Sequence, residues 1–209
     1  MKIFCSDQKF SAALGKAEKH EGDDMTDQDG RVRLYTAQTK IVRDCIRENG
    51  VSRVKNAYIE KKYGESAWIF REAYGFFSAH MEQRLPSPEG ADSPIWLHFD
   101  PVWVYQDAQM PLMELLIEPE RLLIFEREKW QKILNLSLIG ETPEEEQDFL
   151  EELRSMGMTS AFQAFSTPFY PQIKARIKKS WERLFILSTD QPDMLQAAVW
   201  ELRRGDLVG

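Results

Sequence analysis

Cysteine is scarce in this chain: Cys5 and Cys45 are the only two in 209 residues, and neither sits in a C-x-x-C spacing. A disulfide framework and a cysteine-zinc site both lack their residues, which fits a reducing compartment. Histidine is nearly as rare, with His20, His80 and His98 scattered along the chain, so no metal site is expected. The glycine-rich loops that let backbone N–H groups approach phosphate are absent, both as G-x-x-x-x-G-K-[ST] and as G-x-G-x-x-G, and no cofactor is indicated. A G-x-S-x-G nucleophile elbow is missing too. Met1–Asp7 meets charge too early for a signal peptide, and no apolar run approaches the roughly 18 residues of a membrane span. A cytoplasmic protein with no membrane partner is the expectation.

Positive charge is in deficit as well, with 27 Lys and Arg against 34 Asp and Glu, a net charge of -7. A broad electrostatic grip on nucleic acid is therefore not expected. What is present is ordinary globular material, 43% hydrophobic with 11 Gly and 10 Pro, enough to bury one sizeable core.

Residues 1–30 are polar and carry no sustained period, so a mobile N-terminal tail is expected there, with one globular domain over 31–209. Met25 is a candidate alternative start. Val32 and Leu34 alternate with Arg33 and Tyr35 as a strand; Ile41, Val42, Cys45 and Ile46 then form a helical stripe closed by Gly50. Short helical pieces are expected between Gly50 and Gly64. From Glu65 to Leu85 the residues Phe70, Ala73, Tyr74, Phe77 and Met81 recur at helical spacing.

Ile95, Leu97 and Phe99 alternate with Trp96, His98 and Asp100, and Val102–Tyr105, Leu112–Ile117 and Leu122–Phe125 are further strand candidates, the last running into a helix over Glu128–Leu134. Thr142-Pro143-Glu144-Glu145 is a capping box opening an acidic helix. Pro171 opens a basic helix with Ile173, Ile177, Trp181, Leu184 and Phe185 on its apolar stripe. Leu195–Leu202 is apolar without a decided period. Helices at both ends and strands in the middle, with no regular βαβ alternation, predict an α+β fold: a central mixed or antiparallel sheet with helices packed around it.

Candidate chemistry concentrates in two strands. Arg33 and Tyr35 share a strand face just before the turn Thr36-Ala37-Gln38 and a helix N-terminus, a place that can hold an anion; the plainer reading has Thr36 capping the helix. Glu114 and Glu118 lie four apart and share a face if the strand continues, so either is a candidate general base. His98 and Asp100 are likewise placed i, i+2. Arg33, Tyr35, Glu114 and Glu118 are thus the catalytic candidates, and Thr36, Gln38, Trp96 and His98 the binding candidates. The acidic helix reads as a partner surface or a solvated face, and the basic one over 171–186 as a nucleic-acid face or a solvated one. Tryptophans 68, 96, 103, 130, 181 and 200 read as core and rim rather than a base-stacking platform.

In order along the chain, Arg33-Leu34-Tyr35-Thr36-Ala37-Gln38, Ser93-Pro94-Ile95-Trp96, Phe125 to Trp130 with Ile133-Leu134-Asn135, Ser180-Trp181-Glu182-Arg183-Leu184-Phe185 and Gln196 to Trp200 resemble a bacterial family catalogued as domain of unknown function 3841. The resemblance spans about residues 31 to 208 and implies no activity, cofactor or site residue. The chain departs from that pattern at Ile186, where an acidic residue is usual, and before Trp130, where Phe125-Glu126-Arg127-Glu128-Lys129 replaces an Asp-rich turn. Three functional readings follow: a binding or accessory protein acting on an unidentified protein or small molecule, an NAD-using transferase of the ADP-ribosyltransferase kind built on Arg33 and Tyr35 with Glu114 or Glu118, and a nucleic-acid-binding module using the basic helix over 171–186.

Overall fold

The computed structural model describes residues 25–55, 64, 67–189 and 191–208. Most of the expected tail, residues 1–24, and most of the expected short helical pieces, residues 56–63, lie outside them. Residues 25–30 join the domain: the Arg33 N–H donates to Met25 O at 2.8 Å, and the Asp27 carboxylate accepts from the Arg31 N–H and guanidinium, both at 2.8 Å.

The elements run β1 (Val32–Ala37), α1 (Lys40–Asn49), β2 (Val51–Arg53), α2 (Ala67–Glu82), β3 (Ile95–His98), β4 (Leu112–Ile117), β5 (Leu123–Glu126), α3 (Arg127–Leu134), α4 (Pro143–Ser155), α5 (Ala161–Phe165), α6 (Pro171–Ser180), β6 (Leu195–Val199) and β7 (Glu201–Arg203). Five strands form one antiparallel sheet in the order β4-β1-β3-β6-β5, and β2 pairs with β7 in a two-stranded ladder. This is an α+β domain whose sheet is purely antiparallel.

Alternation splits the sheet into two faces. Val32 and Leu34 of β1, Leu115 and Ile117 of β4, Leu97 of β3 and Ala197 and Val199 of β6 bury one face with Ile46 of α1 and Leu202 of β7. On the other face Leu123, Phe125 and Ala198 pack with Trp96 under α2, α3, α4 and α6, where Phe77, Trp130, Ile133, Phe149, Ile177 and Trp181 are buried. The rings interlock edge to face, with Phe77 5.0 Å from Phe125 and 4.7 Å from Trp96 between centroids, geometry that adds to their area burial. α1 ends at Gly50, whose φ of 80° is left-handed and whose N–H donates to Ile46 O at 2.9 Å.

Several expected elements differ, each for a local reason. Val51–Arg53 is a strand, because pairing with β7 overrides its helical appearance. Val102–Tyr105 is not: Pro101 and the Asp100 carboxylate, accepting from the Val102 N–H at 2.8 Å, start a 3₁₀ turn instead. The stretch Leu195–Leu202 resolves into β6 and β7. Ile41, placed on the apolar stripe of α1 by spacing, is 74% exposed, and only Ile46 of that stripe is fully buried.

Candidate functional site

β1 ends where the chain turns into α1, and a cavity of about 500 Å³ opens at that end. Its floor is Thr36 and Ala37 of β1 and Ile95, Trp96 and His98 of β3. One side is Gln38, Thr39 and the first two turns of α1, including Cys45; another is Ser52, Arg53, Val54 and Lys55 at and beyond β2; Tyr74 of α2 and the loop residues Val104, Tyr105 and Met110 complete it. The volume is that of a small-molecule site, mostly apolar with a few converging polar groups. Among the described residues no Asp or Glu lines it.

The polar groups at the wall are incompletely used. Thr39, not Thr36, is the residue preceding α1, and its side chain makes no capping hydrogen bond. Its buried hydroxyl has no hydrogen-bond partner among the described residues. The first turn of α1 also contains no acidic side chain to answer its N–H groups. Ser93 is 1% exposed, held by an antiparallel bridge to Val54, and its hydroxyl is likewise without a partner among the described residues. Arg53 donates to Glu201 at 2.7 Å, whereas Lys55 forms no ion pair among the described residues. Trp96 stands between cavity and core: its ring lies 5.2 Å from Tyr74 and 4.7 Å from Trp130.

His98 sits in register with Tyr35 on one side and Gln196 on the other. Gln196 Nε2 lies 3.2 Å from both ring nitrogens and donates to the unprotonated one, leaving the buried Gln196 Oε1 without a partner among the described residues. Burial, helped by the nearby Arg127 guanidinium, holds the imidazole below its ordinary pKa, so it is neutral near pH 7. Asp100 does not orient it, since that carboxylate caps the following turn. Arg127 instead stacks over the exposed Trp103, 3.5 Å from its ring centroid.

All four binding candidates, Thr36, Gln38, Trp96 and His98, therefore line one cavity. The catalytic candidates lie elsewhere. β1 and β4 are neighbours with Tyr35 opposite Glu114, and Arg33 forms an ion pair with Glu114 across the two strands. Glu118 is off the strand: β4 stops at Ile117, Pro119 begins a 3₁₀ turn, and the Glu118 carboxylate accepts from Arg121 at 2.8 Å. That hydrogen bond draws its pKa below the ordinary value. Sequence spacing missed Thr39, one residue beyond the turn Thr36-Ala37-Gln38, and Ser93, Lys55 and Gln196, which the Val54–Ser93 bridge and the register of β6 on β3 bring into the neighbourhood; Ser93-Pro94 ahead of an alternating run was the one available hint.

The two charged helices answer each other. Arg176 of α6 meets Glu152 of α4 at 2.6 Å, Arg183 meets Glu141 at 2.8 Å and Glu145 at 3.2 Å, and Lys178 meets Glu72 of α2 at 2.5 Å. The segment Ser180–Phe185 is a structural clamp. The Ser180 hydroxyl accepts from the Ile139 N–H at 2.9 Å, Trp181 donates to Ser137 O at 2.8 Å, and Arg183 donates to Ile139 O at 2.6 Å. Ile186 is exposed, and its carbonyl accepts from Lys129 at 2.6 Å. No helix among the described residues is long and apolar enough to cross a membrane.

No curated protein and no solved structure matches the chain. The profile of the family described as Domain of unknown function (DUF3841) matches residues 33–208, a span that takes in the cavity, the sheet and the Ser180–Phe185 clamp. The chain belongs to the domain of unknown function 3841 family.

Proposed function

We propose that this protein is a cytoplasmic bacterial binding protein whose cavity at the end of β1 takes a small organic molecule with a flat apolar body. The observation that carries the reading is the cavity itself, about 500 Å³ and lined by Trp96, Tyr74, Tyr105, Val42, Val54 and Met110 among its apolar walls. Sparse cysteine supports the reducing compartment, and the family resemblance supports a bacterial source.

The transferase reading needs Arg33 and Glu114 to face a ligand; they face each other, and neither lines the cavity. The nucleic-acid reading needs cations to spare on α6, yet Arg176 and Lys178 are paired with carboxylates and Lys174 donates to Thr167 O, which leaves Lys179. Both observations favour binding in the cavity.

The test uses Cys45, a partly exposed wall residue whose thiol donates to Val51 O at 3.3 Å. N-phenyl-1-naphthylamine, an uncharged fluorescent aromatic, should slow alkylation of Cys45 by N-ethylmaleimide in peptide-resolved mass spectrometry. Unchanged alkylation at saturating dye would remove the cavity as a binding site.

A further inference from the structure

We infer that the molecule bound in this cavity is an organic anion, its phosphate, sulfonate or carboxylate group seated at the amino end of α1 between the Thr39 and Ser93 hydroxyls and within reach of Lys55. The inference rests on the binding reading above and specifies its ligand.

The amino end of a ten-residue helix presents N–H groups with no internal acceptor and the positive end of its dipole. In α1 neither a capping side chain nor an acidic residue in the first turn satisfies them. A second observation is independent of the helix. Ser93 comes from the approach to β3, lines the same cavity and is 1% exposed, with a hydroxyl that has no partner among the described residues. Buried hydroxyls are nearly always hydrogen-bonded, because an unpaired one costs free energy. Two residues of one cavity wall, Ser93 and Thr39, carry buried hydroxyls without a partner among the described residues, donors that a side-chain rotation presents to an acceptor in the cavity.

Charge points the same way. Lys55 adds a cation that makes no ion pair among the described residues. Among the described residues the lining contains no carboxylate to oppose an anion or to hold a cationic ligand, and burial holds the His98 imidazole below its ordinary pKa. Hydroxyls, helix N–H groups and one ammonium form a donor set that suits an anionic oxygen cluster. The apolar walls, Trp96 and Tyr74 among them, take the rest of the molecule.

Two dyes sharing one aromatic body separate the anion from the cavity. 8-Anilinonaphthalene-1-sulfonate is N-phenyl-1-naphthylamine with a sulfonate added, and Cys45 protection reports occupancy for both. The sulfonate should protect Cys45 at a concentration roughly tenfold lower than the uncharged dye, as expected for one helix terminus plus one lysine. Lys55→Met and Ser93→Ala should each pull that ratio toward one, with protection of the same variant by the uncharged dye as the reference and folding verified by circular dichroism. Equal protection by the two dyes, or a ratio that survives both substitutions, would overturn the anion seat while leaving the cavity reading intact. Failure of both dyes to protect Cys45 would overturn the cavity reading and the anion seat with it.

Discussion

Removing the Ser93 hydroxyl should make the ligand-free protein more stable. Ser93 is almost fully buried, its backbone position is fixed by the bridge to Val54 and the Asp92 N–H bond to Val54 O at 2.9 Å, and its hydroxyl has no partner among the described residues. A buried hydroxyl without a partner carries a desolvation cost of about 1–3 kcal/mol. Deleting one oxygen gives up only a few dispersion contacts of about 0.1–0.2 kcal/mol each. Ser93→Ala should therefore gain about 1 kcal/mol, which for a chain of this size raises Tm by roughly 2–4 °C. Differential scanning calorimetry on the ligand-free protein measures it directly. A fall in Tm of more than about 2 °C would show that the hydroxyl is hydrogen-bonded in the empty protein, and the argument that it is a donor held in reserve would collapse. A gain in stability paired with a loss of sulfonate preference is the signature of a polar group kept for a ligand at the fold's expense.

Other substitutions test how the fold is held. Asp206, 3% exposed, accepts from Arg121 at 2.5 and 3.0 Å and from the Arg203 N–H at 2.7 Å; Asp206→Ala leaves Arg121 only the more exposed Glu118 and the Arg203 N–H no acceptor, and should cost about 1–3 kcal/mol in urea unfolding, with Arg121→Met plus Asp206→Leu recovering part of it. A single substitution costing under about 1 kcal/mol would place the pair effectively in solvent. Ser180→Ala leaves the buried Ile139 N–H without its acceptor and should cost about 1–3 kcal/mol by the same assay; no change would mean the clamp is dispensable. Burial depresses the pKa of His98, with Arg127 adding to it, and that of His80, with Arg84 adding and Glu182 opposing. The unfolded chain then takes up the protons first, so stability is complete above about pH 6.5 and falls as pH drops below it. His80→Gln with His98→Gln should flatten the change in Tm between about pH 7 and 5; an unaltered slope would assign it to other groups. Because Lys178 is already paired with Glu72, Lys178→Glu with Lys179→Glu should leave heparin retention unchanged, and earlier elution would restore the nucleic-acid reading.

The fold was legible where one period dominated. α2, α4 and α6 show their apolar stripes at helical spacing, and Thr142-Pro143 marks the start of α4, its hydroxyl accepting from the Glu145 N–H at 3.3 Å. β1, β3, β4 and β5 alternate or run apolar as strands do. Failures came where a long-range partner decides. Val51–Arg53 and Glu201–Arg203 pair across nearly the whole chain, and no local pattern announces a three-residue strand. The site was half legible: Thr36, Gln38, Trp96 and His98 were recognisable because a strand-to-helix turn is a usual place for a ligand, but Ser93, Lys55 and Gln196 belong to other segments and join only through register. Glu118 failed because spacing extends a strand indefinitely, whereas Pro119 ends β4.

The net charge of -7 and an anionic ligand are compatible because the charges are segregated. Glu141, Glu145 and Glu152 are answered by Arg183 and Arg176, and Glu146 by Lys132 at 2.5 Å. What acidity remains acts on a bound anion only beyond contact distance, and at physiological ionic strength exposed charges are screened within about 8 Å. A polyanion such as nucleic acid samples the whole surface and meets that excess. A single small anion samples one wall, where the charged side chains among the described lining residues are Lys55 and an Arg53 already committed to Glu201, beside the helix terminus. Composition therefore argues against the extended partner and is silent about the compact one; the difference lies in how far each ligand reaches.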